Sequence, residues 1–272
     1  MAGAVLAAML CVLVSACAEG EREKTMGANS SIEWTDHTFN IAWGCTKVSP
    51  ACDHCYAETW AKRTGMGWGP DAPRREMSDA HWKAPMKWNA AAQKAGKAAR
   101  VFCSSMADVF EDHSTLAVQR AKLWPIVHAT PWLQWLLLTK RPENVRDMVP
   151  GSWLEAWPAN VLPGFTAENQ EWFDRRHRFT VDVPTPWFVS YEPALGPVDF
   201  RGLHEVSWLI VGGESGHGAR PMMTSWVRSA RDQATAAGVP FFLKQKLEDG
   251  KKVSLPMLDG RQWAEMPEAS NA

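Results

Sequence analysis

Seven short apolar runs constrain the fold of this chain more than anything else in it. They are "FNIAWG" (39–44), "RVFCSSMADVF" (100–110), "WLQWLLLTKRPEN" (132–144), "NVLPGFTAEN" (160–169, interrupted by Pro163), "PWFVSYEPAL" (186–195), "VSWLIVGGESG" (206–216) and "VPFFLKQ" (239–245). Each is nearly continuous in apolar residues and is closed by polar or glycine punctuation. Strands buried on both faces of a parallel sheet read this way. Between them, residues 56–65, 114–129, 141–149, 168–178 and 224–237 read as helices, the last expected to begin on Thr224 as N-cap and to end on Gly238. This alternation predicts an α/β fold, a partial TIM-like (β/α) barrel of six to seven βα units. A doubly wound open sheet is the second architecture the pattern allows.

The rhythm breaks over 65–100, which is rich in Gly, Pro, Trp and basic residues and reads as an insert or lid within one domain spanning 26–247. Residues 248–272 are polar and expected to be irregular. Residues 1–18, "MAGAVLAAMLCVLVSACA", resemble a secretory segment, with "VSAC" like a lipoprotein cleavage box. No Lys or Arg precedes that run, and Met26 stands directly before "GANSSIEWTDHTFN". Translation is therefore expected to start at Met26, with 1–25 a mis-assigned extension and the protein cytoplasmic. No transmembrane span is expected past residue 20.

The 272 residues carry a net charge of −1, so no bulk field draws the chain to nucleic acid or to an anionic membrane. A local basic groove remains compatible with that sum. Sixteen Trp against two Tyr is an unusual ratio. Core filling accounts for most of them, and stacking on a base or cofactor is the sharper role for one or two.

Polar groups recur where the strands should end: Ser104, Ser105 and Asp108; Thr139, Lys140 and Arg141; Thr166, Glu168 and Asn169; Ser190 and Glu192; Gly212, Gly213, Glu214 and Ser215; Lys244 and Gln245. In a barrel these ends converge on one mouth, where active sites lie. Singly, each residue is ordinary helix-capping chemistry. "GGESG" lacks the full dinucleotide-binding spacing, so it reads either as a tight turn or as backbone open to a ligand.

Residues 43–58, "WGCTKVSPACDHCYAE", place Cys45, Cys52 and Cys55 in a C-x6-C-x2-C array just after the first predicted strand. Three chemistries fit. A zinc site needs a fourth ligand, for which Asp53, His54 or His37 is available. A disulfide leaves one odd thiol and needs an oxidising compartment. An iron–sulfur cluster on three cysteines leaves one iron open to a ligand. Cys11, Cys17 and Cys103 look incidental, Cys103 as a buried strand residue.

The three-cysteine loop after the first strand resembles the radical S-adenosylmethionine superfamily. More closely, "IEWTDHTFN", "GCTKVSPACDHCYAE", "LTKRPEN", "GFTAEN", "SYEP", "GGESG" with "ARPM", and "FFLKQ" resemble a phage- and bacteria-associated family of three-Cys-motif proteins, from about Ser31 to Gln245. The superfamily's usual spacing is C-x3-C-x2-C with an aromatic before the last cysteine. Here the first gap is six residues, His54 precedes Cys55, and Tyr56 follows it. The resemblance implies that Cys45, Cys52 and Cys55 ligate a 4Fe-4S cluster and that S-adenosylmethionine binds the open iron. It further implies that Ser104 and Ser105 contact the methionine amino group, Glu168 the ribose, and Gly212, Gly213 and Glu214 the adenosine side. Lys140, Glu192 and Lys244 are left as catalytic or substrate residues. A reductant protein such as a flavodoxin or ferredoxin is implied as partner, with a nucleic acid or nucleotide as a candidate substrate. The alternative function is a zinc-binding nucleic-acid-binding or processing protein.

Overall fold

The computed structural model describes residues 29–216 and 218–269; the expectations for residues 1–25, Cys11 and Cys17 among them, lie outside those residues. Seven strands occur in space in their chain order. They are β1 (His37–Phe39), β2 (Ala99–Cys103), β3 (Leu133–Thr139), β4 (Val161–Thr166), β5 (Trp187–Tyr191), β6 (Val206–Gly212) and β7 (Phe241–Glu248). All six pairings are parallel, and β8 (Lys251–Ser254) adds antiparallel to β7. A doubly wound sheet reverses its strand order at a switch point. This sheet has none, so the fold is the partial barrel.

Five longer helices accompany the strands: α1 (Tyr56–Arg63), α2 (Ala84–Ala95), α3 (Ser114–Ala129), α4 (Gln170–His177) and α5 (Thr224–Ala237). Gly96 and Gly238 end α2 and α5 in the left-handed conformation, at φ 65° and 69°, which glycine adopts without a Cβ penalty. Thr224 is the first residue of α5 rather than its cap; Met223 holds the cap position and makes no side-chain cap bond.

Side chains alternate across a strand, and here parity divides the sheet. Odd-numbered residues such as Val101, Trp135, Phe165, Val189, Val211 and Phe241 join Leu123 of α3, Phe173 of α4 and Val227 of α5 in the larger core. Even-numbered Phe102, Leu136, Leu162, Phe188, Trp208, Ile210 and Phe242 face inward and form a second cluster with Trp34. The Trp34 ring lies 4.7 Å from Phe102 and 6.1 Å from Trp208, closing the floor of the half-barrel. Its neighbour Glu33 meets Lys252 of β8 at 3.6 Å, so the segment before β1 reaches the opposite edge of the curled sheet. Gly164 is required by this packing: a Cβ there would fall 2.2 Å from Cε1 of Phe188.

Three expectations change. First, "FNIAWG" is not one strand. β1 stops at Phe39, and Ala42–Trp43 pairs antiparallel with Arg75–Glu76. Asn40 turns its amide oxygen to the Met106 N–H, tying the exit of β1 to the loop after β2. Second, the 65–100 stretch contains a short helix (Asp79–Trp82) and all of α2, whose Trp88 and Ala92 pack on the core. Third, the region after Leu247 is not irregular. β8 occupies the free edge of β7, and a small ribbon (Met257–Leu258 with Arg261–Gln262) buries Leu258 and brings Trp263 within 5.7 Å of Phe241. An exposed strand edge carries unpaired backbone groups, and this polar tail satisfies them.

Candidate active site

Above the apolar floor, the same inward parity delivers polar residues: Ser104 after β2, Lys140 after β3, Thr166 ending β4, Ser190 and Glu192 at β5, and Lys244 in β7. They line a cavity of about 1280 Å³ that is also lined by Cys45, Cys52 and Cys55. Ser105, Gly213 and Glu214 line it too. The cysteine loop and the strand ends therefore share one mouth.

The loop is clamped on both sides by arginines, Arg141 and Arg74 buried at its entry and Arg220 half-buried at its exit. At its entry, Arg141 donates to the Thr46 carbonyl (2.8 Å), to Asp108 Oδ2 (2.9 Å) and toward Cys45 Sγ (3.7 Å). Asp108 also accepts from Thr139 Oγ1 and from the Lys140 N–H, which fixes the end of β3. Beside it, Arg74 makes a two-pronged pair with Glu111 (3.0 and 2.7 Å) and reaches Thr46 Oγ1 at 2.9 Å. At the loop's exit, Arg220 donates to the Pro50 carbonyl (2.7 Å) and is paired with Glu214, which also holds His54 Nδ1 at 3.1 Å. Tyr56, next to Cys55, donates its hydroxyl to the Ser105 carbonyl at 2.8 Å.

These contacts set the local charge states. Burial, and then the Asp108 carboxylate, push the Cys45 thiol up to about 12, and Arg141 opposes this only in part. Burial weakens the Arg141 guanidinium, but Asp108, Cys45 and Glu111 outweigh it and hold the group firmly cationic. Burial pulls the Glu214 carboxyl upward, and the hydrogen bonds and charge of Arg220 overcome that, so it stays ionised below its ordinary range.

The packing gives three of the sequence-derived site residues protein partners of their own. Glu168 does not reach the mouth; it is fully buried and paired with Arg176 at 2.7 Å. That arginine also donates to the Thr166 and Lys140 carbonyls, so the pair ties two strand ends together from behind. Gly212 does not leave open backbone. A Cβ there would lie 2.6 Å from Glu192 Oε1, so the missing side chain admits the Glu192 carboxylate on its way to Lys244 Nζ, 3.0 Å from Oε1. Glu214 is committed to Arg220 and His54, organising the loop exit. Arg141, Arg74, Glu111 and Arg220 were without assigned roles in the sequence. Only the placement of Arg141 at a strand end, and of Arg220 in "ARPM", pointed to them.

The four described cysteines are free, and Cys103 is buried in β2 as expected. Among the described residues no three His, Cys, Asp or Glu side chains converge as a single ion requires. The suggested fourth zinc ligands are otherwise engaged: Asp53 faces Arg220, His54 faces Glu214, and His37 stacks on Trp88 at 4.4 Å. Cys45, Cys52 and Cys55 nonetheless line one cavity wall as free thiols. No helix among the described residues is long and apolar enough to cross a membrane.

A partial (β/α) barrel with a thiol-bearing loop at its mouth is thus the class the geometry defines. The chain belongs to the family described as "Protein of unknown function (DUF5131)", which matches residues 29–267. No curated protein matches it by sequence. Among solved structures it is similar to spore photoproduct lyase complexed with dinucleoside spore photoproduct, at TM-score 0.46 and 13% identity over 84% of this chain and 71% of that one. A double mutant of that lyase with bound AdoMet and dinucleoside spore photoproduct gives TM-score 0.45 and 12% identity over 83% and 72%.

Proposed function

We propose that the chain is an iron–sulfur enzyme of the radical S-adenosylmethionine type, acting on a nucleic acid or nucleotide. The observation that carries this reading is the shared cavity: three free thiols and the polar ends of five strands line one space of about 1280 Å³. That volume exceeds the roughly 300–1000 Å³ of a single-ligand pocket, leaving room for a cofactor and a substrate together.

Cys45, Cys52 and Cys55 would hold the 4Fe-4S cluster. When bound, the cluster and S-adenosylmethionine supply a 5′-deoxyadenosyl radical that takes a hydrogen atom from the substrate. Everything else falls to the chain's own residues. Arg141 and Arg220 hold the two ends of the loop, so the thiols need little reorganisation to meet iron. Cys45 would hold the group as a thiolate, whose charge the adjacent Arg141 guanidinium would compensate. Ser104 brings a hydroxyl from the β2 end to the cavity, where it suits a cofactor amino group. Lys244 Nζ lies 3.0 Å from Glu192 Oε1, presenting a donor–acceptor pair to a substrate. Trp34 and its aromatic neighbours exclude water from below, as reactive intermediates require. Electrons would come from a flavodoxin- or ferredoxin-like reductant in a reducing compartment.

Anaerobic reconstitution with iron and sulfide tests the reading. Uptake of about four iron per chain is expected. Cluster absorbance should appear and be lost in Cys45→Ala, Cys52→Ala and Cys55→Ala. Reductant and S-adenosylmethionine should then yield 5′-deoxyadenosine. Stoichiometric zinc with no iron uptake would overturn it in favour of the zinc-binding alternative.

A further inference from the structure

The cavity contains one row of polar side chains that the loop and its arginines do not engage, although its Ser190 hydroxyl donates to Glu192 Oε2 at 3.3 Å. Thr166 on β4 and Ser190 on β5 are direct register partners. Thr139 pairs with Phe165, so Lys140, the next residue, comes beside Thr166. Neighbouring strands are about 4.8 Å apart, so an ammonium and two hydroxyls stand side by side across three strands. All three residues line the cavity.

Among the cations that line the cavity, only Lys140 and Arg63, the last residue of α1, have no ion-pair partner among the described residues. Arg141 is paired with Asp108, Lys47 with Glu58, Lys252 with Glu33, and Lys244 with Glu192. Lys140 has its backbone groups engaged by Asp108 and Arg176, while its ammonium has no hydrogen-bond or ion-pair partner among the described residues. The Thr166 side chain is 1% exposed and its hydroxyl is buried without a partner. A buried hydroxyl left unsatisfied is costly, and a bound ligand atom relieves that cost. An unpaired cation flanked by hydroxyls is complementary to an oxyanion.

At the cavity rim the complementary feature is aromatic. Tyr56 is 56% exposed, its hydroxyl is anchored on Ser105, and its ring borders the same space as Trp60 and Trp68. A ring held at its far end, with an open face, is a stacking platform.

We propose that Lys140, Thr166 and Ser190 form a phosphate-binding row, which together with the Tyr56 platform selects a substrate carrying a nucleotide phosphate. This rests on the reading of the cavity as a substrate site and adds the group by which the substrate is held. Calorimetric titration of the full chain with deoxyguanosine 5′-monophosphate, deoxyguanosine, inorganic phosphate and S-adenosylmethionine tests it. The monophosphate should bind about tenfold or more tighter than the nucleoside, the range expected of charge-assisted hydrogen bonds. Lys140→Met should remove most of that advantage, and the isosteric Thr166→Val should reduce it severalfold. Neither should change affinity for S-adenosylmethionine or iron uptake, since neither residue touches the cysteine loop through its side chain. Equal binding of nucleotide and nucleoside would overturn the proposal. So would loss of S-adenosylmethionine binding in Lys140→Met with nucleotide binding intact, because the row would then hold the cofactor's carboxylate. Failure of the iron–sulfur reading would register separately, as absent iron uptake in the unmutated chain with the phosphate preference preserved.

Discussion

The two faces of the sheet use the same strands for different ends. Toward the helices the odd-numbered positions of β4 and β5 are apolar along the whole strand, from Val161 to Phe165 and from Trp187 to Tyr191. Toward the axis the even-numbered positions are apolar only in the lower part; above Phe188 come Ser190 and Glu192, and above Phe242 comes Lys244. The helix-facing side carries the stability. The inner side stops being a core half way up, and apolar burial there gives way to groups that can bind and react.

Trp135→Ala should produce the largest effect on stability. It empties a fully buried site on the helix-facing side and should lower unfolding free energy by about 3–5 kcal/mol in denaturant titration. A loss below about 1 kcal/mol would break the contrast between the faces. The second effect is chemical. At pH 8, with Cys45 pushed from an ordinary 9.0 to about 12, its thiolate fraction falls roughly a thousandfold. Alkylation followed by peptide mass mapping should find Cys45 slower by a factor of that order than a free cysteine. The sign for stability follows: the raised value costs nothing below pH 9, and the folded state loses ground as pH rises from there toward 12. Next comes Gly164→Ala, which forces the Phe188 ring aside and should cost about 1–3 kcal/mol by overpacking. Smallest is Lys140→Met. Its ammonium has no partner to lose, so the melting midpoint should move by less than about 0.5 kcal/mol equivalent even as nucleotide binding falls. A large drop would place Lys140 with the structural residues and erase the division between floor and mouth.

Much of this division was legible in the sequence. The apolar runs gave seven strands, and their polar endings gave the mouth, because strand burial and strand-end chemistry are local properties of composition and period. The helix over 114–129 was readable to the residue, and Gly238 as the end of α5 followed from the steric freedom of glycine. What failed was anything depending on a partner far along the chain. Nothing near "FNIAWG" announces that Asn40 will bond to Met106 and let Ala42–Trp43 leave the sheet. Nothing in the 251–262 stretch reveals that an edge strand will need its backbone groups.

The site shows the same boundary. Sequence alone marked Cys45, Cys52, Cys55, Ser104, Lys140, Glu192 and Lys244 as chemistry-bearing, since residue type and position after a strand are written in the chain. It also marked Glu168, Gly212 and Glu214, and only the tertiary structure shows which partners they meet. Glu168 is fully buried because Arg176 of α4 pairs with its carboxylate at 2.7 Å. Gly212 is a gap because Glu192 from the neighbouring strand fills it. Glu214 is bound to an arginine six residues away that also reaches the cysteine loop. Period and composition decide which way a side chain points and whether it can react. Which charge it meets is decided by strand register and loop closure, and those long-range pairings arise only when the sheet has curled.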